Sequence, residues 1–360
     1  MGCVCFFNTA IAWGGGEKWH LETSAFLHKN NREVLVVAHS KSVLIQRLKK
    51  TDIPFIAVEV SNLSFLNPIK HMALRKELKK RRIDTMVMNL SRDVKIAGTC
   101  AKAVGVKRII YRRGSAIPIK NTLLNRYYFK NIVTEVLANS LATKRTVLEN
   151  NPNLFPEEKI EVIYNGIDLS KMPKEQSKHL STGRTFTLIN LGRLEAQKNQ
   201  RFLIYLAQEF KTRALPIKIS IGGNGRLEGV LRQKIVELGV ENWIELLGFI
   251  EHPIDFISKG DVFVLPSLWE GFGYVLAEAA LCKKPIVAFN ISSNPELVIH
   301  EETGLLVEPN NVSHFADAVE KLYRNPKLCQ QMGKQGSVHV KTNFDKDKNL
   351  KEIETYLLHG

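Results

Sequence analysis

Short, nearly continuous apolar runs alternate along the chain with stretches in which apolar positions recur every three or four residues. The first kind predicts strands buried on both faces, and the second predicts helices laid over them. In the first half this gives strands over Val4–Asn8, Glu33–Ala38, Thr85–Asn89 and Arg108–Tyr111. Between them come a glycine turn, Gly14–Gly16, and helices over Glu17–His28, Pro68–Arg82 and Val94–Val104. Residues 169–184 (LSKMPKEQSKHLSTGR) have no periodic apolar face and read as a linker. The pattern then restarts with strands over Thr185–Leu191, Ile217–Gly222, Trp243–Leu247, Val262–Pro266, Ile286–Phe289 and Leu305–Val307. Helices are expected over Asn199–Phe210 and Leu227–Leu238, and another begins near Gly273.

Strands that alternate with helices imply a parallel sheet covered on both faces. Used twice, the plan predicts an α/β protein of two doubly wound, Rossmann-like domains, 1–168 and 185–345, facing each other across a cleft. A last helix, Asp347–Leu358, carries Leu350, Ile353, Leu357 and Leu358 on one face and needs an apolar partner. Residues 346–360 are therefore assigned to a terminal helix packing back on the first domain. Ligands of such sheets bind at the carboxyl ends of the strands, so the loops after strands are where chemistry is expected.

Composition narrows the classes. The 360 residues are 44% hydrophobic and 24% charged, which is globular, and no apolar run reaches the roughly 18 residues of a spanning helix. Met1–Ala12 has no basic stretch ahead of its apolar run and does not read as a secretory signal. The five cysteines are scattered, as in a reduced cytoplasmic protein. The net charge of +15 sits entirely in the first half: residues 1–180 hold 30 Lys+Arg against 15 Asp+Glu, and 181–360 hold 21 of each. A basic surface attracts nucleic acid, anionic lipid or an anionic acceptor, and charge alone does not choose among them. The neutral second half and the lack of an RRM, KH or zinc pattern argue against nucleic acid.

The most specific segment is PSLWEGFGYVLAEAA, 266–280. A strand ends at Pro266, a loop carries Glu270 and two glycines, and a helix starts near Gly273, where backbone N–H groups and the helix dipole favour an anion. Glu278 lies on a very apolar helix; a ligand hydroxyl would partner it, and a solvated helix face is the alternative. In NLGRLEAQKNQ, 190–200, a strand end delivers Gly192, Arg193 and Lys198, a fork and a point charge suited to a diphosphate. Gly222, in the loop Ile221–Gly225, and Phe249, in LLGFIE, mark two further strand ends of the same half. Four such loops describe a nucleotide pocket.

These segments resemble the retaining glycosyltransferases of group 1, family 4, over nearly the whole chain. Glu270 and Glu278 match that family's Glu-x7-Glu signature, including its Glu-Gly-Phe-Gly core. Arg193 and Lys198 match its Gly-Arg-Leu…Lys-Asn element, Ile163–Asp168 its Asn-Gly-Val-Asp segment, and Gly14, Gly15 and Gly16 its first glycine loop. Pro295–Leu297 and Thr303–Val307 match a late Glu-Leu-Val…Gly-Leu-Leu-Val segment. The resemblance implies the GT-B fold and a nucleotide-sugar donor, with Arg193, Lys198 and Glu270 at the reaction. Glu278 would hold the donor ribose, Glu270 would contact the sugar, and N–H groups at Gly273 and Tyr274 would bind phosphate. Gly15, Gly16, Gly192, Gly222, Phe249, Gly271, Phe272 and Val275 complete the implied donor site. No metal and no other cofactor is expected, and there is no Asp-x-Asp element.

One position departs from the family. Many relatives carry a histidine after the strand that ends here at Tyr111, whereas this chain reads Tyr111-Arg112-Arg113-Gly114-Ser115. Arg112 and Arg113, with Asn89, are the candidates for holding an anionic acceptor.

Two basic, partly apolar segments, 70–82 and 120–133, are candidate contacts with an anionic membrane, or a solvated outer helix and a core helix respectively. The expected activity is transfer of a sugar, with retention, to a glycan or glycolipid such as a lipopolysaccharide core. It would occur in the cytoplasm, on the inner face of the plasma membrane if the basic half meets lipid. A sugar-nucleotide epimerase of the same fold and a non-catalytic nucleotide-sugar-binding protein are the alternatives.

Overall fold

A computed structural model describes residues 2–173 and 185–359. The chain divides into two compact units, Met1–Gly166 with Asp347–Gly360, and Ile167–Lys346. The division falls two residues before the expected end of the first domain. Leu169–Lys171 forms a single turn capped by the Asp168 side chain. The rest of the expected linker, 174–184, lies outside the described residues.

The first unit is built on seven parallel strands: β1 (Cys3–Asn8), β2 (Val34–His39), β3 (Phe55–Val58), β4 (Ile83–Met88), β5 (Arg108–Arg113), β6 (Glu135–Ala138) and β7 (Ile160–Val162), in the order β3-β2-β1-β4-β5-β6-β7. The second has six: β8 (Phe186–Leu191), β9 (Ile217–Gly222), β10 (Ile244–Leu246), β11 (Val262–Leu265), β12 (Ile286–Phe289) and β13 (Gly304–Val307), in the order β10-β9-β8-β11-β12-β13. β1, β2, β11 and β12 are buried along nearly their whole length, which is why their sequences run apolar rather than alternating.

The winding reverses between β1 and β4 in the first sheet and between β8 and β11 in the second. A crevice opens at the carboxyl ends of the strands where the order reverses. Each sheet therefore has one topologically favoured ligand position, beside the loops after β1 and β4 and beside those after β8 and β11.

Two local expectations change. The expected helix Val94–Val104 is a turn at Ser91–Asp93, a wide π-type segment Val94–Gly98 and one helical turn, Thr99–Ala103. The helix Pro68–Arg82 ends at Lys80, and Arg82 takes a left-handed φ of 49°. The terminal helix, Lys346–His359, buries Leu350, Ile353 and Leu357. The last two join a first-unit cluster that includes Val4, Trp19 and Val36. Four polar contacts fix it there: Arg32 Nε pairs with Glu354 at 2.9 Å, Arg108 Nη1 donates to the carbonyls of Tyr356 and Leu357, and Asn349 Nδ2 donates to the Tyr164 carbonyl.

Candidate active site

In the second unit, β8 and β11 are neighbours, so Lys198 on one strand-end loop, which also carries Arg193, meets Glu270 on the other. Lys198 Nζ lies 2.6 Å from Glu270 Oε1, with side-chain exposures of 15% and 7%. Gln197 stitches the same two loops: its Nε2 donates to the Trp269 carbonyl at 2.8 Å, and its carbonyl accepts from Leu268 N–H. Ser293 Oγ donates to the Glu270 carbonyl at 3.2 Å. Glu270 is thus held through both its side chain and its backbone. Gly192 lies beneath the Lys198 side chain, where a Cβ would meet its methylenes at 3.5 Å. The Arg193 side chain is exposed, and its carbonyl accepts from Gln200 Nε2.

The helix Tyr274–Leu281 starts at Gly273, whose φ of 78° is left-handed and favours glycine. No side chain caps this end, where the helix dipole favours an anion. Tyr274, Val275 and Glu278 are half-buried on it. The glycines after β9 serve the loops themselves. A Cβ on Gly223 would stand 1.9 Å from the Gly192 carbonyl oxygen, and one on Gly225 2.5 Å from that of Leu194.

Three further residues of the expected donor site have surroundings of their own. Gly222 is boxed by Ile250 and Phe256, which a Cβ would approach to 2.5 and 2.8 Å. Phe272 is buried, with its ring edge-on to Tyr274 and Phe344. Phe249 is 73% exposed at its loop tip.

In the first unit, Asn89 follows β4 and the glycine loop follows β1, so the two meet at the reversal. A Cβ on Gly16 would lie 2.6 Å from Asn89 Nδ2. Arg112 is 2% exposed. Its Nη1 donates to Asn89 Oδ1 at 3.2 Å and its Nη2 to Asn165 Oδ1 at 3.0 Å, and its guanidinium lies 4.8 Å from the Trp19 ring. Arg113 donates to the carbonyls of Ser115 and Ile117. The expectation of two cations open to an acceptor is therefore corrected. Arg112 is enclosed by side chains, and Arg113 ties down its own loop.

Two buried residues here were not singled out by sequence. Glu17 accepts from the side chains of Asn8 and Asn89. His20 is fully enclosed, and burial together with nearby Arg112 lowers its pKa to about 3, so it is neutral. It hydrogen-bonds the Gly16 carbonyl at 2.9 Å. The adjacent glycines were the available signal for Glu17; none marked His20. Hollows of about 1330 and 920 Å³ open elsewhere on this unit. The first lies at the amino ends of β1, β2 and β4, and the second beside the loop before β7. Among the described residues, no group of three or more His, Cys, Asp or Glu is placed to hold a metal ion.

The two doubly wound sheets and these loops define a GT-B protein. Residues 13–171 match the sequence model of Glycosyltransferase Family 4, and 171–339 that of Glycosyl transferases group 1. The chain belongs to this glycosyltransferase family. It is 29% identical over 242 residues to a Campylobacter jejuni N-acetylgalactosaminyltransferase acting on a diphospho-undecaprenol-linked sugar; the match covers 66% of this chain and 64% of that protein. It is 26% identical to an Escherichia coli UDP-Gal:alpha-D-GlcNAc-diphosphoundecaprenol alpha-1,3-galactosyltransferase, over 83% of this chain and 82% of the relative. Several matches span less than two thirds of the relative, as with 60% of the Staphylococcus aureus capsular glycosyltransferase CapM. The fold is that of the Rickettsia africae glycosyltransferase (TM-score 0.86, 19% identity, 100% and 99% of the chains). Anabaena HepE in complex with UDP-glucose is also similar (TM-score 0.83, 21% identity, 99% of both chains).

Proposed function

We propose that this protein transfers a sugar from a nucleotide-sugar to a glycan or glycolipid acceptor, with retention of configuration and without a divalent metal. The observation that carries this reading is the Lys198–Glu270 pair at 2.6 Å. It lies where the second sheet reverses, on the loop that leads to the uncapped helix end at Gly273. A nucleoside diphosphate fits there: Arg193 and Lys198 face its charge, the N–H groups at Gly273 and Tyr274 bind phosphate, Glu278 holds a ribose hydroxyl, and Glu270 contacts the sugar. In the reaction the bond from the anomeric carbon to the phosphate oxygen breaks while the acceptor oxygen bonds the same face. The departing diphosphate takes the acceptor proton. The cations stabilise charge that grows on that leaving group.

The Campylobacter jejuni and Escherichia coli relatives act on undecaprenol-linked sugars, which favours a lipid-linked acceptor in cell-envelope synthesis. No helix among the described residues is long and apolar enough to cross a membrane. Contact with an anionic leaflet would instead use the exposed side chains Leu63, Leu66, Ile69 and Met72 beside the basic helix Pro68–Lys80, and Leu123, Leu124 and Tyr127 beside Arg126 and Lys130. Tyr128 and Phe129, read with this surface in the sequence, are buried in the core.

The test is a thermal-shift series with UDP-, GDP- and ADP-sugars, followed by transfer to sugar-diphospho-polyprenols. A ligand at 100 times its dissociation constant stabilises the fold by about 2.7 kcal/mol. Stabilisation by a nucleotide-sugar with transfer supports the reading. Epimerisation of donor alone, or tight binding without turnover, would favour the alternatives instead.

A further inference from the structure

Glu17 sits in the first turn of the helix Gly15–Lys29 and is 7% exposed. Its two carboxylate oxygens are treated differently. Oε1 accepts from Asn8 Nδ2 at 3.1 Å and from Asn89 Nδ2 at 3.5 Å. Oε2 takes no hydrogen bond from the described residues and lies toward Gly14, 3.2 Å from where a Cβ on that glycine would stand.

Both amides are oriented from behind. Asn8 Oδ1 accepts from the Ala10 N–H at 3.0 Å, and Asn89 Oδ1 accepts from Arg112 at 3.2 Å. An amide whose oxygen is engaged by a donor turns its NH2 the other way, here toward Glu17. A carboxylate in a first helical turn is favoured by the helix dipole, which accounts for its charge. It does not account for two amides that fix one oxygen while the other takes no hydrogen bond from the described residues. A carboxylate oxygen left without a donor beside a strand-end glycine loop suits a donor group that arrives with a ligand.

The carboxylate would repel a second anion, so the group it takes is a neutral hydrogen-bond donor. We infer that Glu17 determines acceptor specificity: its Oε2 accepts from a hydroxyl or amide N–H of the acceptor sugar, and Asn8, Asn89 and Arg112 are positioning residues. The inference rests on the glycosyltransferase reading above.

The test is steady-state kinetics with UDP-galactose, UDP-glucose or UDP-N-acetylglucosamine and N-acetylglucosaminyl-diphospho-undecaprenol in detergent. Glu17→Gln keeps the side chain's shape and puts an NH2 where Oε2 stands. Acceptor KM should rise at least tenfold, with donor KM and UDP affinity within twofold of wild type. Gly14→Ala crowds Oε2 and leaves the charge, and at φ −159° its extended backbone accepts alanine; it should shift the same constant. Arg112→Lys keeps the cation but loses the fork, and should also raise acceptor KM and spare donor KM. An unchanged acceptor KM in both Glu17→Gln and Gly14→Ala overturns the inference, as does a raised donor KM alone. A wild type that transfers from none of these donors rejects the glycosyltransferase reading itself, before any variant is made.

Discussion

Lys198 Nζ and Glu270 Oε1 are 2.6 Å apart, and the pair joins the loop after β8 to the loop after β11. Removing one member of a buried pair leaves its partner's charge uncompensated and costs about 3–5 kcal/mol, whereas replacing both costs far less. Lys198→Met should therefore lower the urea-unfolding free energy by about 3 kcal/mol, and adding Glu270→Gln should restore part of it. Losses that simply add would show that the pair is not coupled.

Glu278 is half-buried on the apolar helix Tyr274–Leu281. If it accepts from a donor hydroxyl, Glu278→Ala should weaken donor binding by about 1.5–3 kcal/mol, the range for hydrogen bonds to charged groups. Calorimetry on the folded variant measures this directly. Unchanged affinity would assign Glu278 to the helix alone.

Asp93 is fully buried, and burial raises its pKa to about 7 against hydrogen bonds from Thr9 and the Leu90 N–H and the nearby Arg92 charge, which pull it down. Its folded pKa lies above its unfolded value near 3.8, so folding favours the protonated form. The stability this contributes is complete below about pH 3.8 and is lost as pH rises toward about 7. Asp93→Asn should flatten the stability profile between pH 4 and 7 in urea titrations. An identical slope in the variant would place the titration elsewhere.

The exposed apolar residues beside the basic helices give a salt-sensitive expectation. Each Lys or Arg at an anionic leaflet contributes about 1 kcal/mol, so replacing Arg75, Lys76 and Lys79 together should release the protein from anionic vesicles. Vesicle flotation should also weaken between low salt and 0.15 M, where screening shortens to about 8 Å. Equal binding to neutral and anionic vesicles would contradict the assignment.

The parts of this molecule that repeat a simple physical pattern were legible in the sequence. Doubly buried strands such as Val262–Leu265 and Ile286–Phe289 read as unbroken apolar runs, and the glycines after β8 and β11 mark the loops that meet at Lys198 and Glu270. Strands β3, β6 and β7 carry a weaker signal, because β3 and β7 are only partly buried and β6 and β7 each include a glutamate. Arg112 was misread because an arginine at a strand end normally reaches solvent. Only the fold brings Trp19, Asn89 and Asn165 around it. The same is true of Glu17, whose partners Asn8 and Asn89 are distant from one another in sequence.

If fixed cations, rather than a metal ion, stabilise the leaving diphosphate, the most direct measurement is kcat against donor affinity for Arg193→Ala, in the presence of a chelator. Arg193 is exposed, so the fold should survive the substitution. The account predicts wild-type turnover that withstands the chelator and a variant kcat lower by about 10²–10³, with donor affinity reduced only a few-fold. Turnover that strictly requires added Mg²⁺ or Mn²⁺, or a variant that retains its kcat, would contradict it.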